Sequence, residues 1–134
     1  MKILKLILTL GLLASCGNKT EFIPNKNLIE FHRRTIMDMD ELVNSGEENY
    51  RNLNSKKFNL KTDTIRFEND FIYVSYLSIV NGCGQYSGNI EIENDSIILK
   101  LVDTSGIACT EKRVDRLVYK IKNDANKKYG IKKW

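Results

Sequence analysis

The sequence predicts an α+β fold: one N-terminal helix packed on a mostly antiparallel sheet of five to six strands, free to curl. Three observations carry that prediction. Apolar residues recur at helical spacing over 28–43, the apolar period drops to two from Thr62 onward, and two Asn-Asp pairs stand where tight turns would join strands.

Within 28–43, Leu28, Phe31, Ile36, Met39, Leu42 and Val43 fall largely on one helical face. Asn27 reads as the N-cap and Gly46 as the stop. Residues 44–61 are polar and read as irregular. Around Asn69-Asp70, a two-residue turn pairs Phe67 with Ile72 and Ile65 with Val74, so that apolar residues share a face. Around Asn94-Asp95 the same device pairs Ile92 with Ile97 and Ile90 with Leu99, leaving Glu91, Glu93 and Lys100 facing away. Residues 71–80 are apolar on both faces, as in a central strand covered on both sides. Leu117, Tyr119 and Ile121 alternate with Arg116, Lys120 and Lys122 in a half-buried strand, and a short last strand runs through Tyr129-Gly130-Ile131.

The first fifteen residues have a different character. Lys2 and Lys5 precede the apolar run Leu6–Leu13, and small Ala14 and Ser15 stand just before Cys16. The run is too short for a transmembrane helix, which needs about 20 apolar residues. Leu13-Ala14-Ser15-Cys16 resembles the lipobox of bacterial lipoprotein precursors. The resemblance implies a signal peptide over 1–15, cleavage before Cys16 and lipid on its thiol, hence an extracytoplasmic domain tethered to the cell membrane or outer membrane. Gly17, in place of Asp, is unlike the inner-membrane retention signal of double-membrane bacteria, so the resemblance implies the outer membrane where the organism has one. Two or more acyl chains hold firmly at about 0.8 kcal/mol per buried methylene. Polar residues 16–27, with the only proline at Pro24, read as the lipidated cysteine and its tether, and 28–134 as a single domain.

Losing Lys2 and Lys5 lowers the formal charge from +4 to +2. So small a net charge, without a concentrated basic stripe, argues against a nucleic-acid partner. With Cys16 lipidated, Cys83 and Cys109 remain, and outside the cytoplasm such a pair is most economically a disulfide. Closing that loop would add about 3.5 kcal/mol in the chain-entropy model. A cysteine-ligated metal site or a reactive thiol are the alternatives, but there is no CxxC, and His32 is the only histidine. No metal or cofactor is expected.

No catalytic motif stands out: GxSxG, HExxH and a phosphate-binding glycine loop are all missing from the sequence. Asp38-Met39-Asp40-Glu41 begins like a calcium loop but continues with Leu42 and Val43. His32 has no partner acid placed by motif and reads as a surface residue. The most unusual stretch is Asn81–Gly88, with Gly82, Gly84, Gln85 and a Tyr86 expected to stand exposed at its tip. A disulfide would bring Ser105 and Gly106 beside it; the glycines then read first as serving the turn and the bridge, and the alternative is a loop platform where binding residues commonly sit. Gly82-Cys83, Gly88 and Ala108-Cys109 resemble the spacing of META-type domains over residues 81–110, which implies a small envelope β-rich shape. The basic tail Lys127–Trp134 reads as a solvated edge.

The leading functional expectation is a non-catalytic binding or inhibitor module on a lipid tether, with an envelope protein or glycan as partner. The alternatives are a structural subunit of an envelope complex, and an enzyme whose acids, such as Glu91, Glu93, Asp95 and Asp103, meet only in the fold.

Overall fold

A computed structural model describes residues 21–134. Cys16 and the lipobox lie outside the described residues. The described chain runs β1 (Leu28–Met37), α1 (Met39–Asn44), α2 (Glu47–Asn54), β2 (Thr64–Phe67), β3 (Phe71–Asn81), β4 (Tyr86–Glu93), β5 (Ser96–Asp103), β6 (Lys112–Lys122) and β7 (Gly130–Lys133). Strand dominates and the helices are short, so the class is α+β, but the architecture differs from the one expected.

Two sheets form in place of one curled sheet: a four-stranded antiparallel sheet in the order β1-β6-β3-β2 and a three-stranded sheet in the order β4-β5-β7. They pack face to face. Ile72, Val74, Tyr76, Leu117, Tyr119 and Ile121 of the first meet Ile90, Ile97 and Leu99 of the second in one buried core. Both Asn-Asp hairpins have the expected register, Phe67 opposite Ile72 and Ile92 opposite Ile97. Asn94 takes a positive φ of 51°, a conformation asparagine tolerates better than most residues. The last strand pairs with β5 in parallel, a geometry that requires a crossover, here made through β6 in the other sheet.

The helix expected over 28–43 is a correction: Leu28–Met37 is a strand on the edge of the first sheet, paired with β6. Its Phe31 packs edge-on against Tyr119 at 5.0 Å, while Arg33 and Thr35 turn inward onto Asp115. Register shifts at Leu28/Glu30 and Thr35/Met37 further blur the two-residue period. Helix begins only at Met39. Asp38 caps it, accepting from the Glu41 N–H while Glu41 reaches back to the Asp38 N–H, so the acids that resemble a calcium loop form a capping box. Gly46 does not stop the predicted helix but opens a second one, at a φ of 90°. That second helix lies within the stretch expected to be irregular.

The helices cover the outer face of the first sheet only in part. Leu42 and Leu53 pack on Val114, Leu77 and Ile79 at one end of β3 and β6, while Phe71, Tyr73 and Val118 at the other end stay outside that cluster. β3 is thus interior in its sheet, as expected, yet its second face is covered over only half its length. Among the described residues no helix is long and apolar enough to cross a membrane.

Candidate functional site

Cys83 and Cys109 form a disulfide with Cα atoms 6.0 Å apart, joining the β3–β4 turn to the β5–β6 loop. Asn81 organises the junction. Its side chain accepts from the Cys83 N–H at 2.9 Å and donates to the Cys109 carbonyl at 3.2 Å, and its own N–H donates to the Tyr86 hydroxyl at 3.0 Å. Tyr86 is therefore not a free tip but folds back over Gly84, where an added Cβ would lie 2.6 Å from the ring. Gly82 donates its N–H to the Glu111 carbonyl at 2.9 Å. The Gln85 carbonyl accepts from the Thr104 N–H at 2.7 Å. Ser105 donates from both N–H and hydroxyl to Asp103, and those bonds hold the Asp103 carboxyl below its usual range. Gly106 turns the loop with a φ of 65°. The structure thus brings Gly82, Gly84, Gln85, Tyr86, Ser105 and Gly106 to one end of the sandwich, with much of their polar capacity used internally.

Beneath this end lies a group that sequence reasoning missed. Asp115 is 0% exposed, yet two arginines and a hydroxyl surround it: Arg33 donates to it at 3.0 Å, Arg113 at 3.1 Å and the Thr35 hydroxyl at 2.9 Å. Arg113 also donates to the Gly82 carbonyl at 2.7 Å, and the Arg33 guanidinium lies 5.5 Å from the centre of the Tyr86 ring. One buried carboxylate thereby holds two arginines that in turn hold the disulfide turn. The available signal was an acid at an inward position of β6, in step with Leu117, Tyr119 and Ile121. The Cys83 and Cys109 sulfurs lie near the Glu111 carboxylate, but sulfurs bonded to each other supply no thiolate for a metal.

Two depressions among the described residues carry basic and aromatic side chains together. One, of about 480 Å3, lies on the uncovered half of the first sheet, lined by Glu30, His32, Arg66, Phe71, Tyr73, Val118 and Lys120. Arg66 sits 4.6 Å from the centre of the Tyr73 ring and Lys120 4.6 Å from that of Phe71. His32 makes a 2.5 Å contact with Glu30. The other depression, of about 280 Å3, opens between the end of α2 and β7, and Lys133 lines it beside Tyr76 and Trp134.

Lys133 belongs to the tail expected to be solvated, yet its side chain is only 7% exposed. Its ammonium stands 4.6 Å from the Phe58 ring centre and 4.8 Å from that of Tyr76, donates to the Lys57 carbonyl at 2.9 Å and lies 3.4 Å from Asp63. Burial lowers its pKa and Asp63 opposes that shift. This clasp ties the last strand to the loop before β2. Elsewhere in the tail, Lys127 pairs with Asp95 at 2.7 Å and Lys128 covers the Phe67 ring.

Of the acids expected to meet in an enzymatic cleft, Glu91 and Glu93 share one face of β4 and Asp103 is remote from them. Glu91 pairs with Lys100, Asp95 with Lys127, and Asp103 lies opposite Tyr86 at the far end of the β4–β5 ladder from Glu93. No family model, curated protein or solved structure matches the chain.

Proposed function

We propose that this protein is a lipid-anchored module of the bacterial cell envelope, tethered through Cys16, that binds an anionic glycan without transforming it. The observation that carries the ligand class is the depression on the uncovered half of the first sheet. Val118, Phe71 and Tyr73 supply apolar surface for sugar C–H faces, and Arg66 and Lys120 supply charge for carboxylates. Arg66 is exposed, and its nearest acid, Glu68, is 3.9 Å away, so its guanidinium fork is not consumed by a tight internal pair. Paired antiparallel strands hold these groups in fixed relation, which lowers the ordering cost of binding.

The test is a titration of the mature chain in detergent micelles with an oligogalacturonate, followed by amide NMR shifts, with the neutral methyl ester as control. Shifts at His32, Tyr73 and Val118 are expected with the acid and not the ester. An Arg66→Ala/Lys120→Ala variant should weaken binding on the order of tenfold or more. Equal response to acid and ester, or shifts confined to the disulfide end, would overturn this reading.

A further inference from the structure

The described chain begins at one particular end of the sandwich. Glu21, Phe22 and Ile23 lie beside Asn89 and Val102–Gly106, together lining a shallow depression of about 660 Å3. From there the backbone passes Asn89, whose side chain accepts from the Asn25 N–H at 2.8 Å, and reaches Leu28, opposite Ile121 at the other end of the first sheet. The tether therefore departs from the disulfide end and not from the hairpin tips at Asn69-Asp70 and Asn94-Asp95.

Cys16 precedes Glu21 by only a few residues, which at full extension span about 17 Å. The opposite end of the eleven-residue strands β3 and β6 stands about 35 Å farther along the sheet. Contour length alone thus brings the disulfide end nearest to wherever Cys16 is held. That end also shows the right chemistry. Ile23 is 79% exposed and Ile107, next after Gly106, is 55% exposed. Ile107 is not on a loose loop: its N–H donates to the Ser105 hydroxyl at 3.1 Å, and Ser105 is fixed by Asp103.

We propose that the disulfide end of the sandwich lies against the bilayer that carries the chain's own lipid anchor, with Ile23 and Ile107 set into its interface. This rests on the reading that Cys16 is lipidated. At this end Glu21, Asp103 and Glu111 are set against Lys112 and the two arginines held by Asp115, so charge is mixed and the contact is apolar insertion that does not depend on anionic lipid. The disulfide and the Asp115 cluster then stiffen a membrane-facing base, and the anionic-ligand depression occupies the flank of the domain.

The experiment uses the mature protein in phosphatidylcholine nanodiscs containing bromine-labelled lipid. Trp134→Phe/Ile107→Trp and Trp134→Phe/Ile23→Trp place a reporter at the proposed base, and Trp134→Phe/Asn69→Trp places one at the opposite hairpin. Mass spectrometry of the N-terminal peptide reads the state of Cys16 in the same samples. The expected result is lipid on Cys16 and tryptophan quenching several-fold greater at 107 and 23 than at 69, unchanged by added anionic lipid. A lipidated chain with equal quenching at all three positions overturns the orientation and leaves the anchor standing. An N-terminal peptide without lipid overturns both.

Discussion

The ring of Phe31 lies directly on the backbone of Gly88, so close that a Cβ added to Gly88 would stand 2.9 Å from the Cβ of Phe31 and nearer still to its ring. This contact joins the edge strand of one sheet to the first strand of the other, and it makes Gly88 a packing position.

Gly88→Ala should therefore destabilise the domain by about 1–3 kcal/mol through overpacking. In a Phe31→Ala background the same substitution should cost less, because the Cγ and Cδ2 atoms that crowd the new Cβ are gone. Gly106→Ala is the contrast: nothing lies within 4 Å of its Cβ position, and only its φ of 65° resists a side chain. That strain should cost on the order of 1 kcal/mol. Urea unfolding of these variants and of Phe31→Ala alone checks the set, and an equal cost of Gly88→Ala in both backgrounds would remove Phe31 as the cause.

The same contact shows where the sequence was readable. The hairpins at Asn69-Asp70 and Asn94-Asp95 were legible because turn residue and alternation point the same way, so register follows from local chemistry. The first strand was not. Arg33 and Thr35 face inward at positions where alternation calls for apolar groups, and the partner that satisfies them, Asp115, is some 80 residues away. With those two removed from the apolar count, Leu28, Phe31 and Ile36 mimic a helical stripe that tertiary pairing overrides. The disulfide was legible from cysteine number, once the lipobox resemblance sets Cys16 aside and implies an oxidising setting for the remaining pair. The basic-aromatic depression was not: 71–80 shows two apolar faces, but which half of the second face stays open depends on where two short helices dock.

Asp115 is the next point of sensitivity. Replacing it with Asn keeps the shape and removes the charge that compensates Arg33 and Arg113. Breaking a fully buried pair costs about 3–5 kcal/mol. Here the arginine side chains keep 28% and 20% exposure, which tempers the loss to about 2–3 kcal/mol. Because Arg113 also holds the Gly82 carbonyl, amide exchange at residues 82–85 should quicken in Asp115→Asn more than at the β2–β3 hairpin. Uniform exchange changes across the domain would argue that the cluster has no special hold on the disulfide turn.

Stability should also depend on alkaline pH in a way set by the stacked pair Tyr76 and Tyr119, whose ring centres are 6.0 Å apart. Burial pushes the Tyr76 hydroxyl from 10.0 up to about 12, and burial raises Tyr119 as well. In the unfolded chain these phenols ionise near their ordinary pKa, so above about pH 10 the unfolded state binds fewer protons than the folded one. The tyrosine contribution is thus fully present below about pH 10 and is lost as pH rises toward about 12, on the order of 3 kcal/mol for Tyr76. Lys133 acts oppositely: its lowered pKa means the unfolded state holds more protons just below 10.5, so its neutralisation favours the fold as pH rises toward that value. The expected profile climbs slightly toward about pH 10 and then drops steeply. Urea unfolding at about pH 9, 10 and 11 measures it, and Tyr76→Phe should shallow the alkaline drop. An equally steep drop in that variant would mean that Tyr76 does not carry the effect.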